Sequence, residues 1–235
     1  MRIVSWNCNG AFRRKLEAAD ALNADVLVIQ ECEDPALSSS EYRKWAGDYL
    51  WTGYGKNKGI GIFPRKGQSI EPLDWQGSEY ELFLPALLDG RDTVIGVWTQ
   101  SCTPSSLSYI GQFWHFMQAN KEKFDHHTYI VGDFNSNSIW DRPRRQWNHT
   151  DCVNALDEMG FRSLYHLAKC EQQGREQEST FYIYRKPGRP FHIDYVFAHK
   201  KALESARFNV EIGHPDDWLS LSDHVPVIVD IEESR

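Results

Sequence analysis

Apolar residues fall along the chain in short blocks of two kinds. Arg2–Trp6 (RIVSW) reads as a strand, and Asp25–Glu31 (DVLVIQE) is a continuous apolar run that ends in an acid, as in a strand buried on both faces. Between them, Phe12, Leu16, Ala19 and Leu22 recur at helical spacing and predict an amphipathic helix over 11–24. Further strands are expected at GIGIF (59–63), TVIGVWTQ (93–100) and TYIVGDFN (128–135). Two more are expected within 180–198, joined at RKPGRP, and a last one over 222–231. Helices are predicted over 108–124 and over 151–161, the second with Asp151 as its cap and Gly160 as its stop.

Strands and helices alternate without a linker, a low-complexity tract or a clear repeat, which predicts one α/β domain over residues 1–235. Two similar halves, each opening on a strand-helix-strand unit, fit the same pattern. A plain dinucleotide-binding fold does not. The glycines of GYGKNKG and GIG follow no strand-to-helix transition and are assigned to turns.

Composition narrows the class. The chain is 41% hydrophobic over 235 residues, enough for a substantial core. No run of about 18 apolar residues is present, so no membrane partner is expected, and the N-terminus lacks the apolar segment of a signal peptide. The five cysteines are odd in number and scattered, which fits reduced thiols and a cytoplasmic location. A net charge of -7 argues against coating nucleic acid through the overall field but leaves room for a local basic rim. A monomer is expected.

The candidate chemistry sits at strand ends. Asn7 and Asn9 follow the first strand and Glu31 ends the second. Asp133, Asn135 and Asn137 leave a third, His192 and Asp194 enter another, and Ser222, Asp223 and His224 precede the last. Open α/β sheets bind ligands at strand ends, so these groups are candidates for one cleft. Taken singly, each has a plainer reading: an Asx-turn for GDFN, a surface acid for Glu31, a structural role for His192. Together they supply hard oxygen donors suited to Mg²⁺ or Mn²⁺, a histidine with carboxylate partners, and neutral amides. That inventory fits metal-assisted phosphodiester hydrolysis. Acyl transfer fits poorly, because no Gly-x-Ser-x-Gly elbow is present.

The ordered motifs SWNCNG (5–10), VIQE (28–31), KGIGIF (58–63), VGDFN (131–135), STFYIY (179–184), HIDYVF (192–197) and SDHVPV (222–227) resemble the endonuclease/exonuclease/phosphatase superfamily, the group of exonuclease III, the AP endonucleases and DNase I. The resemblance spans nearly the whole chain. It implies a four-layered α/β sandwich, two packed mixed sheets flanked by helices, and a Mg²⁺- or Mn²⁺-dependent phosphoesterase. It also implies roles. Glu31 would be the principal metal ligand, Asp223 would bind metal directly or through water, and Asn7 would support the phosphate or nucleophile. Asp133 would orient or deprotonate the attacking water and Asn135 would bond the scissile phosphate. Asp194 would align His224, and His224 would stabilise the developing charge. Asn9 stands where AP endonucleases tend to carry an acid, leaving the metal site one charge poorer. The family's phosphate-contacting residue before the long helix is open here among Trp98, Gln100 and Tyr109.

For the substrate, a nuclease with a DNA repair role leads a phosphatase or phosphodiesterase for a small-molecule or lipid-headgroup phosphoester; a non-catalytic module comes third. Basic residues in DRPRRQW (Arg142, Arg144, Arg145) and YRKPGRP (Arg185, Lys186, Arg189) lie next to the motifs and are interleaved with aromatics, as phosphate contacts and base stacking require. Phe181, Phe191 and Ile193 fall where AP endonucleases carry the pocket for a flipped-out abasic sugar. DNA is expected in preference to RNA.

Overall fold

The computed structural model describes residues 1–75, 82–204 and 206–233. In its first part, β1 (Arg2–Asn7), α1 (Leu16–Ala21), β2 (Val26–Cys32), α2 (Ser40–Ala46), β3 (Leu50–Gly53) and β4 (Gly59–Pro64) follow one another. Next come β5 (Ile70–Pro72), β6 (Phe83–Leu88), β7 (Asp92–Trp98), α3 (Ile110–Asn120), β8 (Thr128–Asp133), α4 (His149–Glu158), β9 (Phe161–Ser163) and α5 (Leu164–Lys169). The rest holds β10 (Phe181–Tyr182), β11 (Pro190–Phe191), β12 (Asp194–His199), α6 (Lys200–Glu204), β13 (Ala206–Ile212), α7 (Pro215–Trp218) and β14 (Val227–Glu233).

Two six-stranded mixed sheets result, in the orders β13-β14-β1-β2-β4-β3 and β5-β6-β7-β8-β12-β9, with β10-β11 as a separate ladder. Each large sheet contains one parallel pair, β1 with β2 and β7 with β8, and each pair is joined through a helix. Each sheet thus holds one strand-helix-strand unit, but the second does not open its half: β5 and β6 precede it, and β13 and β14 return to the first sheet.

Strand periodicity builds the layers. Val26 and Val28 of β2 share a core with Val131 of β8 and Val196 of β12, between the sheets. Leu27 and Ile29 point the other way, into a cluster with Phe12, Ala19 and Tyr42 beneath α1 and α2. On the far side, Ile130 and Phe197 pack with Phe113, Phe116 and Leu156 of α3 and α4. Helices, sheet, sheet, helices is the four-layered sandwich that the motifs imply. β7 and β8 approach so closely that a Cβ on Gly132 would lie 1.9 Å from the Val97 carbonyl oxygen, and its φ of +153° is one that side chains rarely adopt.

Several element boundaries differ from expectation. The helix expected over 11–24 begins only at Leu16, because Ala11 is left-handed (φ 51°) and Phe12–Arg14 forms a tight 3-10 turn. Helix α4 is capped by Asn148, and Asp151 closes a capping box from the third helical position. Only Phe181↔Phe191 and Tyr182↔Pro190 pair across the RKPGRP hairpin, and the last strand starts at Val227, beyond Pro226. Among the described residues no helix is long and apolar enough to cross a membrane.

Candidate active site

The polar strand ends meet at one edge of the sandwich. Asn7, Glu31, Asp133, Asn135, Asp223 and His224 line a cleft of about 310 Å³ together with Trp98, Thr99, Gln100, Tyr109 and Phe181. Parallel pairing explains part of the convergence: β1 and β2 run together, with Asn7 opposite Gln30, so both deliver their C-terminal ends to the same rim. Glu31 needs one more device. The β2–β4 register shifts between Gln30 and Cys32, and Glu31 is the extra residue, with φ of 63°. A bulge of this kind re-aims a side chain that would otherwise continue the alternation.

Asp133 ends β8, is fully buried and lies opposite Asp194 of β12. Its Oδ2 accepts from Asn7 Nδ2 (2.9 Å) and Asn135 Nδ2 (2.9 Å), and its Oδ1 accepts from the Asn135 backbone N–H (2.8 Å). Burial, reinforced by the negative charge of Asp194, raises its pKa to about 7. Asn135, left-handed at φ 45°, also donates from Nδ2 to the Thr99 carbonyl (3.0 Å). Its donor hydrogens are thus spent within the protein, holding Asp133; reaching a phosphate costs it one of these bonds.

His224 is equally buried. Its Nδ1 lies 2.9 Å from Asp194 Oδ2 and its Nε2 lies 3.9 Å from Asp133 Oδ2. Burial alone would lower its pKa, but the charges of Asp194 and Asp133 outweigh that and raise it to about 9. The backbone is pinned around it. Ser222 Oγ donates to the Asn7 carbonyl (2.7 Å) and accepts from the His224 N–H (3.0 Å), and Trp6 Nε1 donates to the His224 carbonyl (3.1 Å). Thr180 Oγ1 accepts from the N–H groups of Ile193 and Asp194, which fixes the start of β12. Ser222 is among the strand-end candidates of the sequence and holds the backbone here, whereas Thr99 and Thr180 contribute without standing among those candidates; Thr180 lies within the STFYIY motif and Thr99 just after the strand that ends at Trp98.

Two sets of groups could attract a cation. Ligand atoms of Asp133, Asp194 and His224 lie within 4.8 Å of one another. Both Asp194 oxygens, however, lie within 3.3 Å of His224 Nδ1, and Asp133 accepts from Asn7 and Asn135, so these ligand atoms are already engaged and do not form an open ligand shell. Glu31 and Asp223 fit better. They are carboxylates on the cleft wall, and Glu31 Oε1 has only a long contact to Asn7 Nδ2 (3.5 Å). All-oxygen donors of this kind suit Mg²⁺ or Mn²⁺. Asn9 donates from Nδ2 to Asp223 Oδ1 (2.5 Å), so it is placed beside Asp223 as a holder.

The expected substrate contacts are spread around this cleft. Tyr109 lines it and both neighbouring cavities, whereas Trp98 is 2% exposed and Gln100 is bound through its backbone to Gln112 and Tyr109. A cavity of about 320 Å³ beside the cleft is walled by Trp140, Phe181, Ile193 and Arg145. The Phe181 ring packs 4.6 Å from that of His224, and Phe191 packs 5.0 Å from Trp140. Arg142, Arg144 and Arg145 line a wider groove with Ser101, Ser105, Ser108 and Tyr109. Lys186 sits exposed at the hairpin tip and lines none of these cavities, and Arg185 is turned to the carbonyls of Ser220 and Leu221. Asn137 is buried, donating to the His192 carbonyl (2.9 Å), while His192 Nδ1 reaches the Glu178 carbonyl (2.8 Å). Asn137 also lines the cavity beside the cleft, whereas His192 lines none of these cavities.

The fold is shared with known proteins. The sequence pattern of the Endonuclease/Exonuclease/phosphatase family matches residues 4–224, and the chain belongs to that family. Among solved structures it is similar to a 3'-5' exonuclease from Neisseria meningitidis, at 17% identity with a TM-score of 0.71, covering 99% of this chain and 100% of that one. It is also similar to an AP endonuclease from Archaeoglobus fulgidus, at 18% identity with a TM-score of 0.70, covering 98% of each chain. Likeness at these identities establishes the shared fold. No curated protein matches the chain significantly by sequence.

Proposed function

We propose that the protein is a divalent-metal-dependent phosphodiester hydrolase that acts on nucleic acid, DNA in preference to RNA. The reaction class is supported by the family and by the Asn7–Asp133–Asn135 and Asp194–His224 bonding pattern. Asp133, held by three donors at the cleft floor, takes the proton of the attacking water. Its raised pKa makes it a better base than an ordinary carboxylate. His224, kept protonated by Asp194, presents Nε2–H to the charge that builds on the phosphoryl oxygens. Glu31 and Asp223 would hold the divalent ion, which would supply neutralising charge and lower the pKa of a nearby water.

The observation that carries the choice of substrate is the arginine groove. It meets the catalytic cleft at Tyr109 and offers Arg142, Arg144 and Arg145 to phosphates beyond the scissile one. A small phosphoester has no use for such a track; a strand does. The relatives named above are an exonuclease and an AP endonuclease, which favours the same reading. The test is incubation with Mg²⁺ or Mn²⁺ and end-labelled single-stranded, duplex and abasic DNA, RNA, and phosphoinositide analogues. Cleavage of DNA supports the proposal. Turnover of the phosphoinositide analogues alone replaces it with the phosphatase reading.

A further inference from the structure

The turn between β3 and β4 sets a lysine against the acid of the metal site. β4 pairs with β2 through Ile60↔Gln30 and, beyond the bulge, Gly59↔Cys32. Glu31 is the residue left between these pairs, and Lys58 is the residue just before Gly59. The register therefore brings the two side chains together, and Lys58 Nζ lies 3.0 Å from Glu31 Oε2. On its other side the ammonium lies 5.4 Å from the centre of the Trp98 ring, a residue that also lines the catalytic cleft. The strand that follows it starts in close contact with β3. A Cβ on Gly59 would meet the Thr52 carbonyl oxygen at 2.3 Å and the Trp51 ring at 2.4 Å. A carboxylate, an aromatic face and a fixed strand end thus make a seat for one positive charge.

We infer that Lys58 is the built-in counter-cation of Glu31 and competes with the divalent ion for that carboxylate, so that it sets the metal affinity of the site. The inference rests on the metal-dependent reading above. Lys58 holds Oε2 while Oε1 has only the long Asn7 contact, so a divalent ion held by Glu31 would share the carboxylate with the ammonium and be repelled by it, and the two cations compete. The Lys58 side chain is 55% exposed, so water is available to receive it. A pair so exposed weighs on affinity by roughly two- to fivefold.

The experiment is a calorimetric titration of Mn²⁺ into the wild type, K58M and K58R, without any phosphoester. K58M keeps the length of the side chain and removes its charge; K58R keeps a charge. The expected result is Mn²⁺ binding roughly two- to fivefold tighter in K58M and close to wild type in K58R. Equal or weaker binding in K58M overturns the inference, as does K58R matching K58M. A second readout uses ¹³C-dimethylated lysines, with the Lys58 signal assigned by its disappearance in K58R. That signal shifts on adding Mg²⁺ if the ammonium is displaced, and an unmoved signal overturns the inference. Both readouts are independent of hydrolysis, so a failure here is distinguishable from a failure of the proposed function.

Discussion

His224 stands between two buried carboxylates, with Nδ1 2.9 Å from Asp194 Oδ2 and Nε2 3.9 Å from Asp133 Oδ2. The shorter contact fixes the ring and keeps it charged, and the longer one leaves Nε2 aimed along the cleft floor. Both residues facing the cleft thus hold their protons beyond the ordinary range, Asp133 up to about 7 and His224 up to about 9, so between these values the carboxylate is free to accept a proton while the imidazole keeps its own.

From this arrangement, Asp133→Asn and His224→Ala should each lower kcat by about 10²–10⁴-fold, the range for proton-transfer and charge-stabilising groups. Asp133→Asn keeps the volume of the buried side chain, so circular dichroism should show an intact fold. Steady-state kinetics on the preferred substrate decide the matter. A loss under about tenfold in either variant removes that residue from the chemistry.

The elevated pKa of His224 predicts how stability depends on pH in EDTA-treated protein. Its folded-state value of about 9 lies above the unfolded histidine value, about 6.5. The folded state then binds the proton more tightly, so this contribution is fully present below about pH 6.5 and is lost as pH rises through about 9. Asp133, raised to about 7, acts in the same direction at lower pH. The thermal midpoint should therefore fall as pH rises from about 7 through about 9, and Asp194→Asn should flatten that fall. Histidine NMR provides the direct check: the His224 signal should titrate well above the free value in the wild type and lower in Asp194→Asn.

Metal dependence is the third expectation. Glu31 and Asp223 offer only hard oxygen, so exhaustive EDTA treatment should abolish hydrolysis, and Mg²⁺ or Mn²⁺ should restore it. Glu31→Gln, which keeps the bulged backbone but removes the charge, should raise the metal concentration needed for half-activity by roughly tenfold or more, the scale of about 1.4 kcal/mol. Full activity surviving EDTA would discard the metal role of both residues.

Much of this site is legible in the sequence because the chemistry sits at the ends of strands whose apolar runs are strong. VLVIQE and TYIVGD announce buried strands that end in acids, and both acids reach the cleft. What the sequence hides is the register. Glu31 points into the cleft through a bulge that exists only once β4 pairs with β2, and Lys58 reaches Glu31 for the same reason. Among the strands not predicted from the sequence are β13, although Phe208, Val210 and Ile212 alternate cleanly, and β6, whose Pro85 argues against a strand until its neighbours are known. The first helix is shorter than its apolar spacing suggests: the pattern continues back through Phe12, but a left-handed Ala11 forces a tight turn there. The Asn135 contacts show the same limit. GDFN reveals an amide beside an acid, but only the fold shows that the amide is engaged by Asp133 and Thr99.

The last prediction separates a strand from a small phosphoester. Arg142, Arg144 and Arg145 line a groove that begins at Tyr109, on the wall of the catalytic cleft, and Arg145 also faces the cavity walled by Trp140 and Phe181. A strand with its scissile phosphate over Asp133 can place neighbouring phosphates along this groove. In the 183–189 hairpin, by contrast, the Arg185 guanidinium is taken by the carbonyls of Ser220 and Leu221, and Lys186 lines none of the cavities. Changing Arg144 and Arg145 together to Gln should therefore raise KM for an oligonucleotide and flatten the salt dependence of its binding. The log-log slope should drop by roughly 0.7–0.9 for each phosphate that the groove no longer neutralises. Lys186→Gln should have a smaller effect than either arginine. A chromogenic phosphodiester, which has no flanking phosphates, should be hydrolysed at nearly the wild-type rate by the double variant, because Asp133, His224 and the metal ligands are untouched. An unchanged salt slope in the double variant, measured by fluorescence anisotropy at several ionic strengths, would show that the groove does not carry the strand.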